Sequence, residues 1–182
     1  VIGVRVNVDK TNVKHIPKLL GLFKNDGLNS KIGIGFGRTW SCPQCEYIVP
    51  FTSKEFGKYF IPLTKLAIEM GFNLTPRLPF NILGCGAYAL NTLIVDPLGL
   101  FYKCWDLIGI PEYSIGSLDD GININRHAKW ILRNPLTSRK CQKCSLLPAC
   151  GGGCAALSIH EGKNLEYFTC PDIKYFLKEW LK

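Results

Sequence analysis

The spacing of cysteine constrains this chain more than any other feature of its sequence. Seven of the nine cysteines follow the pattern C-x13-G-x4-C, then C-x2-C-x5-C-x3-C, then one last C. They are Cys85, Cys104, Cys141, Cys144, Cys150, Cys154 and Cys170. Cysteine-bound zinc ions and iron–sulfur clusters take four protein ligands each. Seven thiolates are therefore too many for one such site and one too few for two.

Length and charge exclude several classes of protein. The chain has 182 residues and a formal charge of +8. Secreted disulfide networks of this density are usually shorter, so we expect reduced, metal-binding cysteines in a cytoplasmic protein. Lysine and arginine are dispersed rather than grouped in a stripe, and we expect no nucleic-acid partner. No apolar run approaches the length of a bilayer span, so we expect a soluble protein without a membrane partner.

The first half has the periodicity of an α/β fold. Valines alternate with polar residues up to Val8, Asn12 is a predicted helix cap, and Thr52 and Glu55 have capping-box spacing. The pattern predicts strands at 1–8, 31–36 and 72–75, with helices between them. Strands that alternate with helices through short connections predict a parallel sheet, open or barrel-like, over residues 1–80.

A second, smaller set of candidates lies in the loop after the second predicted strand. Cys42 and Cys45 form a C-x-x-C pair, which holds half a metal site or a redox disulfide in some proteins and no metal in others. Because loops after parallel strands line the functional face, Arg38 and Glu46 are also site candidates.

The second half, residues 81–182, has much less regular structure. A hairpin is predicted at 92–95 and 100–103, with Cys85 before it and Cys104 at its end. Helices are predicted near 126–132, 155–159 and 172–181. Metal centres must supply part of the stability of so irregular a domain. The residues alone leave the metal open between zinc and iron–sulfur, because no histidine follows a C-x-x-C pair with the H-x-x-x-H spacing of many zinc sites.

The cysteine series resembles the SPASM domain, the C-terminal extension of many radical S-adenosylmethionine enzymes. The segments that carry the resemblance are GLFYKCWD at 99–106 and CQKCSLLPACGGGC at 141–154. It implies that residues 1–80 are the last strand–helix units of a partial (β/α)6 barrel of the TIM type. It also implies two auxiliary [4Fe-4S] clusters, with zinc as the alternative occupant. Cys85, Cys104 and Cys154 would hold the first cluster, and Cys141, Cys144, Cys150 and Cys170 the second.

The first of these clusters would be one cysteine short. Sulfatase-maturating relatives close it with a cysteine soon after the first one, and none occurs near Asn91. Cys42, Cys45, water or a residue outside this chain would fill the place, or the open iron would bind a substrate cysteine, as in thioether formation on a ribosomal peptide. Those relatives also have a catalytic aspartate directly after the second cysteine, where this chain has Trp105. Asp106 is therefore only a candidate base, and sulfatase-type oxidation is the alternative reaction.

The resemblance further implies parts that the sequence does not contain. The C-x3-C-x2-C motif, which binds the cluster that cleaves S-adenosylmethionine, is absent, so we expect a preceding barrel half with that third [4Fe-4S] cluster. Arg5 and Asn7 would approach S-adenosylmethionine. A peptide substrate and a reductant such as ferredoxin or flavodoxin are the expected partners. The competing interpretation is a non-catalytic zinc-binding or electron-transfer module.

Overall fold

The structure is a computed structural model that describes residues 2–40, 47–75 and 85–182. Its strands are β1 (Ile2–Val8), β2 (Ile32–Arg38), β3 (Asn73–Leu74), β4 (Ile94–Val95), β5 (Leu100–Tyr102), β6 (Gly116–Ser117) and β7 (Gly121–Ile122). Its α-helices are α1 (Ile16–Asn25), α2 (Ser53–Glu69), α3 (Ile124–Ile131), α4 (Arg139–Gln142), α5 (Leu147–Cys150), α6 (Ala155–His160) and α7 (Ile173–Trp180). In the described parts of the chain, no helix is both long enough and apolar enough to cross a membrane.

The chain divides into two compact units. The first unit is Val1–Pro79 together with Pro171–Lys182, and the second unit is Phe80–Cys170. This differs from the predicted division at residue 80, because the terminal helix α7 belongs to the first unit. The Phe176 ring stacks on Phe60 of α2, with ring centroids 4.1 Å apart. A Cβ on Gly57 would lie 2.6 Å from the Tyr175 Cβ, so glycine permits this close approach of α7 to α2.

The first unit contains the predicted parallel sheet. Strand β2 pairs in parallel with β1 and with β3, which confirms the expectation for three strands. These strands alone do not make the partial barrel that the resemblance implies. The alternating valines of β1 contact the core, and Val8 is completely buried with Ile34 and Phe56. Arg5 and Asn7 are exposed, because successive side chains of a strand point to opposite faces.

The helix starts follow two different rules. Thr52 and Glu55 form the predicted capping box: the Thr52 side chain accepts from the Glu55 N–H and the Glu55 carboxylate from the Thr52 N–H. Asn12, however, is not a helix cap. Its side chain accepts from the Asp9 N–H at 3.0 Å, and a 3₁₀ turn precedes α1. The Asn12 side-chain amide, which was predicted to cap the helix, thus takes part in the local turn at Asp9 instead.

Arg38, a site candidate in the sequence, is the last residue of β2 and has a structural role. Its side chain is buried, and its Nε donates to Asp172 Oδ1 at 2.8 Å. Its Nη1 and Nη2 donate to the Phe51 carbonyl and the Ser53 hydroxyl. One guanidinium therefore connects the end of β2 with the beginnings of α2 and α7.

The second unit is built around a small antiparallel sheet in the order β4-β5-β6-β7. The first two strands are the predicted hairpin, which starts two residues later and ends one residue earlier than predicted. The last two were missed, since each has only two residues and no periodicity. Its apolar cluster contains Ala87, Phe101, Leu107, Ile115, Trp130, Ala155 and Ala156.

We expect Asp172→Ala to lower the free energy of unfolding by about 2–4 kcal/mol, because it removes the carboxylate that lies 2.8 Å from Nε of the buried Arg38 guanidinium. Urea denaturation is the measurement. Glu179→Ala is the matched control, since it removes the exposed pair between α2 and α7, in which Lys65 and Glu179 are 3.8 Å apart. The control should change stability by less than about 0.5 kcal/mol. Equal effects of the two substitutions would contradict a structural role for Arg38.

Glu55 should make the first unit sensitive to acid. The hydrogen bond from Lys10, followed by those from Thr52, lowers the pKa of Glu55 from 4.5 to about 2. A carboxyl whose pKa is depressed by folding stabilises the fold above its unfolded pKa, and that contribution is lost as the pH falls from 4.5 to about 2. The stability difference between the parent chain and Glu55→Gln should therefore shrink over this window in urea titrations. Glu69→Gln, at the exposed end of α2, should show no such trend.

Candidate functional site

Three cysteines that are far apart in sequence interact in the second unit. Cys85, Cys104 and Cys154, called the first cysteine group, each immediately precede a helical segment. Cys85 is exposed, and the other two are half-buried. Burial and, to a smaller extent, negative charge on Cys154 and Cys85 raise the pKa of Cys104.

Burial is the main influence on the thiols of this group. It raises the pKa of Cys104 to about 12, and it also raises the pKa of Cys154. The backbone N–H groups of Leu157 and Ala156 act in the opposite direction on Cys154, although the side chain does not form a regular capping hydrogen bond. Backbone N–H groups that face a sulfur favour its thiolate, which is the form that binds metals.

The second cysteine group comprises Cys141, Cys144, Cys150 and Cys170. Burial raises the pKa of Cys150, and charges on Cys170 and Cys141 raise it further. Cys144 lies one turn after the buried Cys141, with its N–H donating to the Cys141 carbonyl at 3.0 Å. No disulfide joins any two of the seven cysteines in the described ranges. The interactions of Cys104 and of Cys150 thus fall into two separate sets.

Three consecutive glycines separate Cys150 from Cys154. All three have positive φ angles, 60° at Gly151, 89° at Gly152 and 77° at Gly153, which favour glycine over any other residue. A Cβ on Gly152 would also lie 2.6 Å from the Pro135 Cβ. In this conformation the N–H groups of Gly152 and Gly153 lower the pKa of Cys150. The glycines therefore allow the backbone to reach the sulfur.

A buried lysine, which the sequence did not reveal, holds the segment after Cys85 against the hairpin. Lys103 Nζ donates to the carbonyls of Ala89 and Thr92, the latter at 2.7 Å. It also lies 3.4 Å from His127 Nε2. Burial lowers the pKa of Lys103. Since Lys103 directly precedes Cys104, these bonds bring the segments of two first-group cysteines together.

The remaining predicted residues lie in different places. Asp106 lies near the first cysteine group: after burial, its negative charge raises the pKa of Cys104 and Cys154, while its backbone N–H acts in the opposite direction on Cys104. Arg5 and Asn7 lie on β1 in the first unit, and Arg5 Nε donates to Asn7 Oδ1 at 3.0 Å. The candidates Cys42, Cys45 and Glu46 lie outside the described residues.

Zinc and iron–sulfur centres demand different spacings from these cysteines. Within the described ranges, no three His, Cys, Asp or Glu side chains converge on a point where one ion would bind. Thiolates around a tetrahedral zinc ion lie about 3.8 Å apart, since each Zn–S bond is about 2.3 Å. A [4Fe-4S] cluster binds each of its protein ligands at a different iron and spaces them more widely.

Two clefts in the second unit lie apart from the cysteines. They have volumes of about 380 and 370 Å³ and share Ser114 and Arg126 in their walls. Arg126 Nη1 donates to the Ser114 carbonyl at 3.1 Å. Neither cleft is lined by a cysteine, so neither is a candidate metal site.

The fold and the site define an α/β protein with a parallel-sheet unit and a cysteine-rich unit. Among solved structures, the chain is similar to SuiB of Streptococcus suis bound to S-adenosylmethionine, with a TM-score of 0.59 and 16% identity over 93% of this chain. A second structure of SuiB gives a TM-score of 0.54 and 15% identity, again over 93%. The chain covers 44% and 45% of those proteins, less than half of their length. At this identity the likeness concerns the fold.

No protein-family model matches the chain, and no curated protein matches it.

Lys103→Met should loosen the segment between Cys85 and the hairpin. It leaves the Ala89 and Thr92 carbonyls without their buried donor, at about 1–3 kcal/mol for each unsatisfied group. Hydrogen exchange of the peptide that spans 85–95 should accelerate, as should alkylation of Cys85. Lys129→Met, on the exposed side of α3, should leave both rates unchanged. Unchanged exchange in the Lys103 variant would contradict this role.

Proposed function

We propose that this chain is the C-terminal part of a radical S-adenosylmethionine enzyme of the SPASM type that modifies a ribosomally made peptide. In this proposal the first cysteine group holds one auxiliary [4Fe-4S] cluster and the second group holds another. One observation carries it: Cys104 interacts with Cys85 and Cys154, whereas Cys150 interacts with Cys141 and Cys170. The resemblance implies the same grouping, with Cys144 as the fourth member of the second set.

The residues around the sulfurs fit such clusters. All seven donors are thiols, and the N–H groups of Gly152 and Gly153 face one group while those of Ala156 and Leu157 face the other. Hydrogen-bond donors of this kind stabilise thiolate ligands and tune the potential of the centre. When bound, the two clusters would transfer single electrons, and the protein would orient the peptide beside them.

The first cysteine group supports a cysteine-containing peptide as the substrate. It supplies three thiolates for a centre that takes four ligands. A substrate cysteine as the fourth ligand would be held beside Trp105, which is 76% exposed, and Asp106. Formation of a thioether from that cysteine is the reaction we favour. Sulfatase-type oxidation is the alternative, and Asp106 would act as base in either case.

The first unit would contribute part of the S-adenosylmethionine site. Arg5 and Asn7 are exposed on β1, where they pair with Gly35 and Gly37 of β2, and the Arg5 guanidinium lies over Gly37. Both side chains carry hydrogen-bond donors that a polar ligand can use. The fold likeness to a protein solved with S-adenosylmethionine supports this assignment. The rest of the barrel, with its own cluster, and a reductant such as ferredoxin or flavodoxin would complete the enzyme.

Anaerobic reconstitution with iron and sulfide tests the proposal. We expect about eight irons per chain, as two four-iron clusters require, and broad absorption near about 400 nm. Cys150→Ser should lose about four of these irons and melt at a lower temperature, because metal binding stabilises the fold. Ser145→Ala, an exposed change in the same loop, is the control. A colourless chain with stoichiometric zinc would replace the proposal with a structural zinc module.

A further inference from the structure

Arg133 in the second unit uses all three nitrogens of its guanidinium on neutral acceptors. Nε donates to the Leu165 carbonyl at 3.0 Å, Nη1 to the Tyr88 hydroxyl at 3.1 Å and Nη2 to the Tyr167 carbonyl at 2.8 Å. The guanidinium also lies over the Phe168 ring, 4.1 Å from its centroid. These bonds fix the position of the charge, because a planar guanidinium with three acceptors has one orientation.

The charge of Arg133 is not neutralised by a carboxylate. No ion pair of this arginine is found in the described residues, whereas Arg38 of the first unit is paired with Asp172. Arginine remains protonated at any physiological pH. Within the described residues, the half-buried charge of Arg133 therefore contacts neutral oxygens and an aromatic ring, and no carboxylate pairs with it.

Tyr88 connects Arg133 to the first cysteine group. Its hydroxyl accepts from the Ala155 N–H at 3.1 Å and lies 3.4 Å from the Gly153 carbonyl, to which it donates. Gly153 and Ala155 are the two neighbours of Cys154 in the chain. Tyr88 itself follows Cys85 by three residues. The Tyr88 hydroxyl thus binds the backbone on both sides of Cys154, and Tyr88 is close in sequence to Cys85.

The same arginine also reaches the segment that leads to the second cysteine group. The Tyr167 carbonyl that it binds accepts a second hydrogen bond, from Ser158 Oγ at 2.7 Å. Ser158 Oγ in turn accepts from the Thr169 N–H at 3.3 Å. Thr169 immediately precedes Cys170.

We propose that Arg133 is a positioning residue that also supplies fixed positive charge to the first cysteine group. Through Tyr88 it holds Cys154 in place, and its charge raises the reduction potential of the cluster bound there. Reduction of that cluster adds one electron from an external donor such as dithionite and no proton, so the centre gains one negative charge. A nearby positive charge stabilises the more negative, reduced form. This inference rests on the proposed function.

The test compares Arg133→Met with Arg133→Lys in the anaerobically loaded chain. Redox titration followed by electron paramagnetic resonance gives the potential of each cluster, and iron analysis gives its occupancy. Met removes the charge, so one of the two potentials should fall. Lys keeps the charge but cannot reproduce the fork of three bonds, so that potential should stay near the parent value even if occupancy decreases. In a Cys85→Ser background, which damages the first group, the shift caused by Met should disappear.

A second variant separates positioning from charge and needs no metal. Tyr88→Phe keeps the ring and removes only the hydroxyl, so alkylation of Cys154 in the reduced, metal-free chain should accelerate relative to Cys150. Equal potentials in the Met and Lys variants together with an unchanged alkylation rate would overturn the inference. Failure of the parent chain to bind iron would instead overturn the proposed function, and the alkylation result would still decide the positioning role of Tyr88.

Discussion

The second unit depends on apolar packing directly beside the first cysteine group. A residue one to three positions after each cysteine of that group is buried in one cluster: Ala87, Leu107 and Ala155. Phe101 and Trp130 belong to the same cluster. Burying one large apolar side chain contributes about 1.5–3 kcal/mol, so this packing can hold three helical segments at fixed positions. The sulfurs follow, since each cysteine immediately precedes one of those segments.

That arrangement has an electrostatic consequence. Packing the segments together partly buries Cys104 and Cys154, and burial raises the pKa of both thiols. Binding of the proposed clusters would therefore have to release protons from these thiols. The backbone N–H groups of Leu157 and Ala156 favour the thiolate form of Cys154 and reduce this cost. The core that assembles the sulfurs thus makes them harder to ionise, and the polar groups around them partly compensate.

The elements that are determined by residues close in sequence could be predicted from the sequence. The alternation of β1 and the capping box of α2 involve residues within a few positions, and both are found where predicted. The helix cap predicted at Asn12 was wrong, although it also involves only nearby residues, since the Asn12 side chain accepts a hydrogen bond from the Asp9 N–H instead. The sequence could not assign α7 to the first unit, because Phe176 of α7 packs on Phe60, which lies more than a hundred positions earlier in the chain. The two-residue strands β6 and β7 carry no period at all.

The two arginines show why a candidate site is harder to predict than a strand. Arg38 follows a parallel strand, where site residues are common, yet its charge is taken by Asp172, 134 positions further along. Arg133 has no motif around it, yet its guanidinium, which pairs with no carboxylate in the described ranges, binds the hydroxyl that contacts the backbone beside Cys154. Arg38 pairs with a carboxylate, and Arg133 does not within the described residues. This difference depends on the fold and not on the local sequence. Cysteine spacing is the exception in this chain, because a proposed centre with fixed ligand geometry would constrain the spacing directly.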